Sequence, residues 1–244
     1  MAGVRSVSLR KHLLSMDNEY PYIDVHTHQI KPGNQIAIVN VIVKSEVSGY
    51  PDNSTVYQQN PNIFFSAGIH PWFTQNWRSQ LEMVRQLAQL SHNIAIGECG
   101  LDKTVPTELN EQIELFKTQI VISEILCKPL IIHCVKAYNE LLEIRKETQA
   151  RMPWIIHGFS GSIQMAKQCS GEGMILSFGQ ALFNSKSKVN QVVNAEDQFP
   201  FLLETDESHF SIDEIYAQYV KIKGITLNEL KKALSETFFQ AFKF

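Results

Sequence analysis

The 244-residue sequence predicts a single-domain (β/α)8 barrel. Three observations lead there. Eight short apolar or β-branched runs recur along the chain, amphipathic stretches separate most of them, and no Gly-, Ser- or Pro-rich linker divides the sequence. Strand and helix alternating eight times call for parallel strands joined by helical crossovers, and a chain of this length closes them as one barrel. An open doubly wound sheet is the alternative. It needs a glycine-rich first turn, and Gly33 alone does not make one.

In chain order the expected strands are 22–28 (YIDVHTH), 37–43 (AIVNVIV), 63–70 (IFFSAGIH), 94–101 (IAIGECGL), 129–134 (PLIIHC), 154–159 (WIIHGF), 174–178 (MILSF) and 201–206 (FLLETD). Between them, Trp77, Leu81, Val84, Leu87 and Leu90 mark a helix over 76–90. Leu109, Ile113, Phe116, Ile120 and Ile125 mark another over 107–127, both with a period near 3.6. Shorter helices are expected over 137–151, 162–168 and 188–195. Two C-terminal ones are expected over 212–223 and 227–242, the second capped by Thr226. The first crossover, after Ile30, is short and poor in helix signal. Residues 1–20 read as an extension before a barrel at 21–244. Arg5, Arg10, Lys11 and His12 interrupt them, and they lack the apolar core of a signal peptide.

Composition narrows the chemistry. With 44% hydrophobic and 19% charged residues, the chain is ordinary for a globular protein and unlike a disordered or fibrous one. No apolar run approaches the roughly 20 residues that span a bilayer. Twenty-two basic against 25 acidic residues give a net charge of −3, so no basic surface announces a nucleic acid. A metal centre can still attract an anion. The four cysteines, at 99, 127, 134 and 169, form no C-x-x-C pair. Reduced thiols in a cytoplasmic protein are expected.

Six ionisable residues fall at or near the C-terminal ends of the expected strands, the rim from which barrel enzymes draw their catalytic groups. His26 and His28 are two apart and share a strand face. Glu98, His133, His157 and Asp206 end strands four, five, six and eight. The same alternation turns Cys99 and Cys134 toward the helices. It leaves Asp24 and Glu204 one step deeper, where they can orient the imidazoles. Four imidazoles and two carboxylates suit a binuclear centre of Zn²⁺, Mn²⁺, Fe²⁺ or Mg²⁺, with Glu98 as the bridge. Two divalent ions, two carboxylates and a bridging hydroxide leave one net positive charge, which favours an anionic substrate. A metal-bound hydroxide is available near neutral pH, and Asp206 is placed to orient it and take up its proton.

The segments Asp24-Val25-His26-Thr27-His28, Gly68-Ile69-His70-Pro71-Trp72, Ile96-Gly97-Glu98-Cys99-Gly100-Leu101-Asp102, Ile132-His133, Ile156-His157-Gly158-Phe159-Ser160-Gly161 and Leu203-Glu204-Thr205-Asp206 resemble, in order, the motifs of the TatD family of metal-dependent hydrolases. The resemblance runs from about Tyr22 to the C-terminus. It implies a barrel with two divalent metals (Mg²⁺, Mn²⁺ or Zn²⁺) and deoxyribonuclease activity on DNA or another phosphodiester. It further implies that His26 and His28 hold one metal, completed by Asp206, that His133 and His157 hold the other, and that Glu98 bridges them. The catalytic residues would then be Asp206 and Glu98. Where family members commonly carry Arg two residues after the strand-five histidine, this chain has Val135, followed by Lys136.

His70 is expected either to contact substrate phosphate or to cap its loop. Asp102 is expected to fix loop or ligand geometry. Trp72, Phe73 and Trp77 either stack a base or pack the loop after strand three. An alternative function keeps the metals and hydrolyses an amide or ester in a small molecule. Another keeps the barrel as a silent binding protein, which the complete donor set argues against. No membrane association or obligate protein partner is expected.

Overall fold

The computed structural model describes residues 20–30, 33, 35–44, 60–195 and 199–242. The expected extension, apart from Tyr20, therefore lies outside the described residues, as does His12.

Eight parallel strands form one sheet in sequential order: β1 Ile23–Thr27, β2 Ile36–Ile42, β3 Ile63–Gly68, β4 Asn93–Asp102, β5 Leu130–Val135, β6 Trp154–Ile156, β7 Met174–Phe178 and β8 Phe201–Leu203. The sheet closes on itself through a parallel bridge between Thr27 and Asp206. There the Asp206 N–H donates to the His26 carbonyl at 2.9 Å. β1, β3 and β7 are buried along their whole length, as strands covered on both faces are. Seven α-helices are described: α1 Trp77–Ala88, α2 Leu109–Leu126, α3 Tyr138–Thr148, α4 Ile163–Gly171, α5 Lys188–Asn194, α6 Ile212–Lys223 and α7 Leu227–Phe242. A 3-10 turn, Gln180–Phe183, follows β7.

Every expected strand and helix is present; most ends are shorter than expected, while β4 and α4 run further. β6 and β8 are three residues each, so His157 and Asp206 sit on the turns beyond them. Leu90 and Ile125 were expected to be buried but are 52% and 73% exposed. α1 ends at Ala88, two residues short of Leu90. α2 turns Gln112 and Gln119 into the protein instead of Ile125. Thr226 does cap α7: its hydroxyl accepts from the Glu229 N–H while Glu229 accepts from the Thr226 N–H, a reciprocal pair that satisfies two end donors.

The buried glutamines of α2 lie seven residues, two helical turns, apart and therefore on one face. Gln119 is fully buried and bonds both backbone groups of Ile69, accepting from N–H at 2.8 Å and donating to C=O at 3.0 Å. Gln112 does the same to Asp102, at 2.8 and 2.9 Å. One helix thereby clamps the ends of β3 and β4, from which His70 and Asp102 enter the site. At the closure of the barrel, the buried Tyr216 hydroxyl of α6 accepts from Ile23 N–H at 2.9 Å and donates to Ile23 C=O at 3.2 Å.

β4 is the irregular strand. Its pairing shifts register against both neighbours, against β5 between Ile96 and Cys99. Gly97 and Gly100 have φ of +142° and +141°, and a Cβ on either would meet the backbone oxygen of Ile131 or His133 at 2.4 or 2.1 Å. Only glycine fits at these two positions. The bulge between Ile96 and Cys99, which holds Gly97, aims the side chain of Glu98 into the barrel mouth, as bulges at active sites commonly do.

Candidate metal centre at the barrel mouth

Glu98 is 3% exposed and stands at the middle of the site. Its two carboxylate oxygens face different partners. Oε2 lies 3.5 Å from His26 Nε2 and 3.7 Å from His28 Nε2. Oε1 lies 2.7 Å from His157 Nε2, 2.9 Å from His133 Nδ1 and 3.1 Å from His70 Nε2. Asp206 closes the first group, its Oδ1 at 3.6 Å from His26 Nε2 and 3.4 Å from His28 Nε2. All six residues expected to form the site therefore converge, with His70 beside them.

Two features fit a cation. His26 is fully buried, and its Nε2, 3.5 Å from Glu98 and 3.6 Å from Asp206, has no hydrogen-bond partner. Buried polar atoms are almost always satisfied, so this nitrogen asks for a ligand of its own. Separations of 3.4–3.7 Å among His26, His28, Glu98 and Asp206 are too long for good hydrogen bonds. They equal the spacing of neighbouring ligands around an ion bound at about 2.1 Å. On the other side, His133, His157 and Oε1 of Glu98 are contracted to 2.7–3.3 Å, held together by protons. Donor sets able to hold an ion are His26/His28/Glu98, His26/His157/Asp206 and His70/Glu98/His133.

The electrostatics follow from this crowding. Burial works to raise the Glu98 pKa, but the charge on His157 and hydrogen bonds from His133, His157 and His70 hold it well below the usual carboxylate range. Burial likewise opposes ionisation of Asp206, and His26 and His28 overcome it. His157 is driven well above the usual imidazole value despite its burial, through the charges of Glu98 and Glu204. In the free protein a proton on His157 thus occupies the place where the carboxylates attract positive charge.

A second layer orients these groups. Asp102 accepts from His133 Nε2 at 3.1 Å, from Thr104 and from the Trp72 indole, leaving His133 Nδ1 toward Glu98. Glu204 accepts from Gly158 N–H at 2.6 Å and from Ser177 and lies 3.6 Å from His157 Nδ1. Asp24 braces the opposite wall, accepting from the Thr205 N–H and hydroxyl at 2.9 and 2.7 Å. Both donors belong to the turn that carries Asp206.

One participant escaped the sequence reading. Asn40, on β2, donates to Glu98 Oε2 at 2.8 Å and accepts from the Glu98 N–H at 2.9 Å. Its signal was present: it is the lone polar residue in the run AIVNVIV.

Of the remaining candidates, His70 Nδ1 accepts from the Trp72 N–H at 3.1 Å, and burial lowers its pKa. The neutral ring therefore carries its proton on Nε2, pointing at Glu98 and the mouth. Trp77 is buried and packs the loop, whereas Trp72 is 58% exposed. Cys99 is buried, and its thiol approaches the Ile131 carbonyl, facing away from Glu98. Among the described residues no helix is long and apolar enough to cross a membrane.

Comparison with known proteins agrees with this geometry. The family model described as TatD related DNase matches residues 12–243. The chain is similar to the uncharacterized metal-dependent hydrolase YcfH of Escherichia coli K12, with 25% identity covering 95% of this chain and 93% of the relative. It is also similar to the 3'-5' ssDNA/RNA exonuclease TatD of Citrobacter rodentium, 31% identical over 49% of this chain and 46% of that protein. Among solved structures, YJJV, a TatD homolog from Escherichia coli K12, superposes with a TM-score of 0.78 at 20% identity, covering 91% of this chain and 98% of the other.

Proposed function

Because the chain belongs to the TatD-related DNase family, we propose that it is a metal-dependent nuclease that hydrolyses phosphodiester bonds in DNA, with residues 21–244 as the catalytic barrel. The observation that carries this reading is the division of Glu98, one carboxylate oxygen toward each histidine group. We assign one divalent ion to His26, His28 and Asp206 and a second to His133 and His157, with Glu98 shared between them. Mg²⁺, Mn²⁺ and Zn²⁺ all suit such donors.

Bound there, the ions supply Lewis-acid activation of water and neutralise charge on the phosphoryl group. The protein's own groups do the rest. Asp206, held ionised, accepts the proton of the attacking water. His70, whose Nε2 lies at the mouth 3.1 Å from Glu98, would offer its Nε2–H to a non-bridging phosphoryl oxygen. Asp102 and Asn40 keep His133 and Glu98 from rotating. Four cysteines without disulfides support a cytoplasmic setting.

The test pairs turnover of single-stranded DNA with bound-metal content in Glu98→Ala and Asp206→Ala. Both variants are expected to lose turnover by at least a hundredfold and to bind less metal. Full metal-dependent turnover in both would refute the assignment.

A further inference from the structure

We propose that Trp72 is a base-stacking platform at the mouth of this site, the surface on which a nucleobase of the bound strand rests. The inference rests on the nuclease reading above and adds a group that reads the substrate.

Trp72 is the odd member of the three tryptophans. Trp77 and Trp154 are 3% and 0% exposed; Trp72 is 58% exposed. An exposed indole without tethers would carry no message. This one is held on two sides. Its Nε1–H donates to Asp102 Oδ2 at 2.8 Å, the same oxygen that faces His133 Nε2. Its edge meets His70 at 5.1 Å between ring centroids, nearly perpendicular at 88°, and its ring centre lies 6.2 Å from that of His133. The backbone N–H of Trp72 also sets the tautomer of His70.

The indole is therefore fixed by its polar edge and leaves exposed ring surface beside the imidazoles of His70 and His133. A rigid aromatic surface that has already lost its rotamer freedom binds another flat ring at low entropic cost. A nucleobase attached to the scissile phosphate is the flat ring that binding at the metal centre would bring there. Such stacking is indifferent to sequence, because every base has a π-face. A paired base already has both faces covered by its neighbours in the duplex. The platform thus selects single strands or frayed ends without reading sequence.

The experiment compares a 12-nucleotide single strand with its fully abasic counterpart. KM for hydrolysis, and affinity by fluorescence anisotropy for hydrolysis-resistant phosphorothioate versions of both strands with Mn²⁺ present, are measured on the intact chain and on Trp72→Ala and Trp72→Phe. In the intact chain, removing the bases is expected to weaken binding by about 5- to 150-fold, the worth of one stacked base. That ratio should collapse toward one in Trp72→Ala and largely persist in Trp72→Phe, which keeps a ring but loses the tether. A variant that weakens both strands equally would mean that Trp72 acts only through Asp102 and His133, and the platform would be wrong. Equal affinity of the intact chain for both strands would also overturn it. Should neither strand be hydrolysed, the nuclease reading fails. The anisotropy ratio would still decide the platform: a base preference abolished in Trp72→Ala sustains it, and no preference ends it.

Discussion

Asn40 and Glu98 hold each other through two reciprocal hydrogen bonds, side chain to side chain at 2.8 Å and side chain to backbone at 2.9 Å. Asn40 is 8% exposed, and Ser66 donates to its Oδ1 at 3.4 Å. The amide thus fixes both where the Glu98 backbone bulges and which carboxylate oxygen turns toward His26 and His28. Partners of metal ligands are typically worth 10–100-fold in metal affinity or activity. Asn40→Ala should reduce turnover, or raise the metal concentration giving half-maximal turnover, by about that factor. Turnover measured across a metal titration checks it, and an unchanged curve would remove Asn40 from the site.

The two glutamines of α2 make a separable prediction. Gln119→Leu leaves two buried backbone groups of Ile69 without partners, at about 1–3 kcal/mol for each unsatisfied group. Thermal unfolding should fall accordingly. Because Ile69 precedes His70 and not a proposed metal ligand, KM for DNA should rise more than the metal requirement changes. Gln112→Leu acts on Asp102, hence on His133, and should shift the metal requirement instead.

Much of this site was legible beforehand because a strand's alternation is rigid. His26 and His28 had to share a face, and Cys99 had to turn away from Glu98. What escaped depended on long-range packing. Asn40 is a single polar residue in an apolar strand, and its partner Glu98 lies 58 residues later. Gln112 and Gln119 fall outside the hydrophobic period of α2, which cannot register a side chain that satisfies strand ends. The short β6 and β8 were overrun for a similar reason. Apolar and site residues continue past their last ladder bonds, so His157 and Asp206 read as strand although turns carry them.

Metal should stabilise the fold as well as activate it. The unpartnered Nε2 of His26 and the ionised Glu98 and Asp206 become satisfied when a cation binds. A ligand at 100 times its Kd adds about 2.7 kcal/mol, and each kcal/mol moves the Tm of a domain this size by about 2–4 °C. Saturating Mn²⁺ or Zn²⁺ should raise Tm by about 5–11 °C over the EDTA-treated protein. The shift should shrink in His26→Ala. A Tm indifferent to metal would contradict the donor set.

The thiols should separate by burial. Desolvation pushes Cys169 up to about 12, and Cys134, buried beside the site, likewise to about 12. Cys99 is raised further still, again through burial first and then the charge of Glu98. A thiol near 12 is ionised to only about one part in ten thousand at pH 8, and thiolate is the reactive form. Cys127, exposed at the end of α2, should therefore be the fast site for iodoacetamide in the native protein, with all four reacting in denaturant. Rapid modification of Cys134 or Cys169 at pH 8 would contradict this ordering.

Glycine substitutions test whether the close approach of β4 to the His133 carbonyl is required. Gly100→Ala would place a Cβ 2.1 Å from the His133 carbonyl oxygen at φ +141°. Both the obstacle and the backbone conformation belong to the main chain, so no side-chain rotation relieves them. The loss of stability should exceed the 0.5–3 kcal/mol usual for single substitutions. Gly171→Ala is the control: nothing lies within 4 Å of its Cβ position, and it sits at the last residue of α4. There a methyl group mainly restricts the unfolded chain and should stabilise by about 0.4–1 kcal/mol. Chemical denaturation of the two variants, run side by side, decides the matter. If Gly100→Ala unfolds at the same denaturant concentration as the parent, the close approach of β4 to the His133 carbonyl is not needed to carry Glu98 to the mouth.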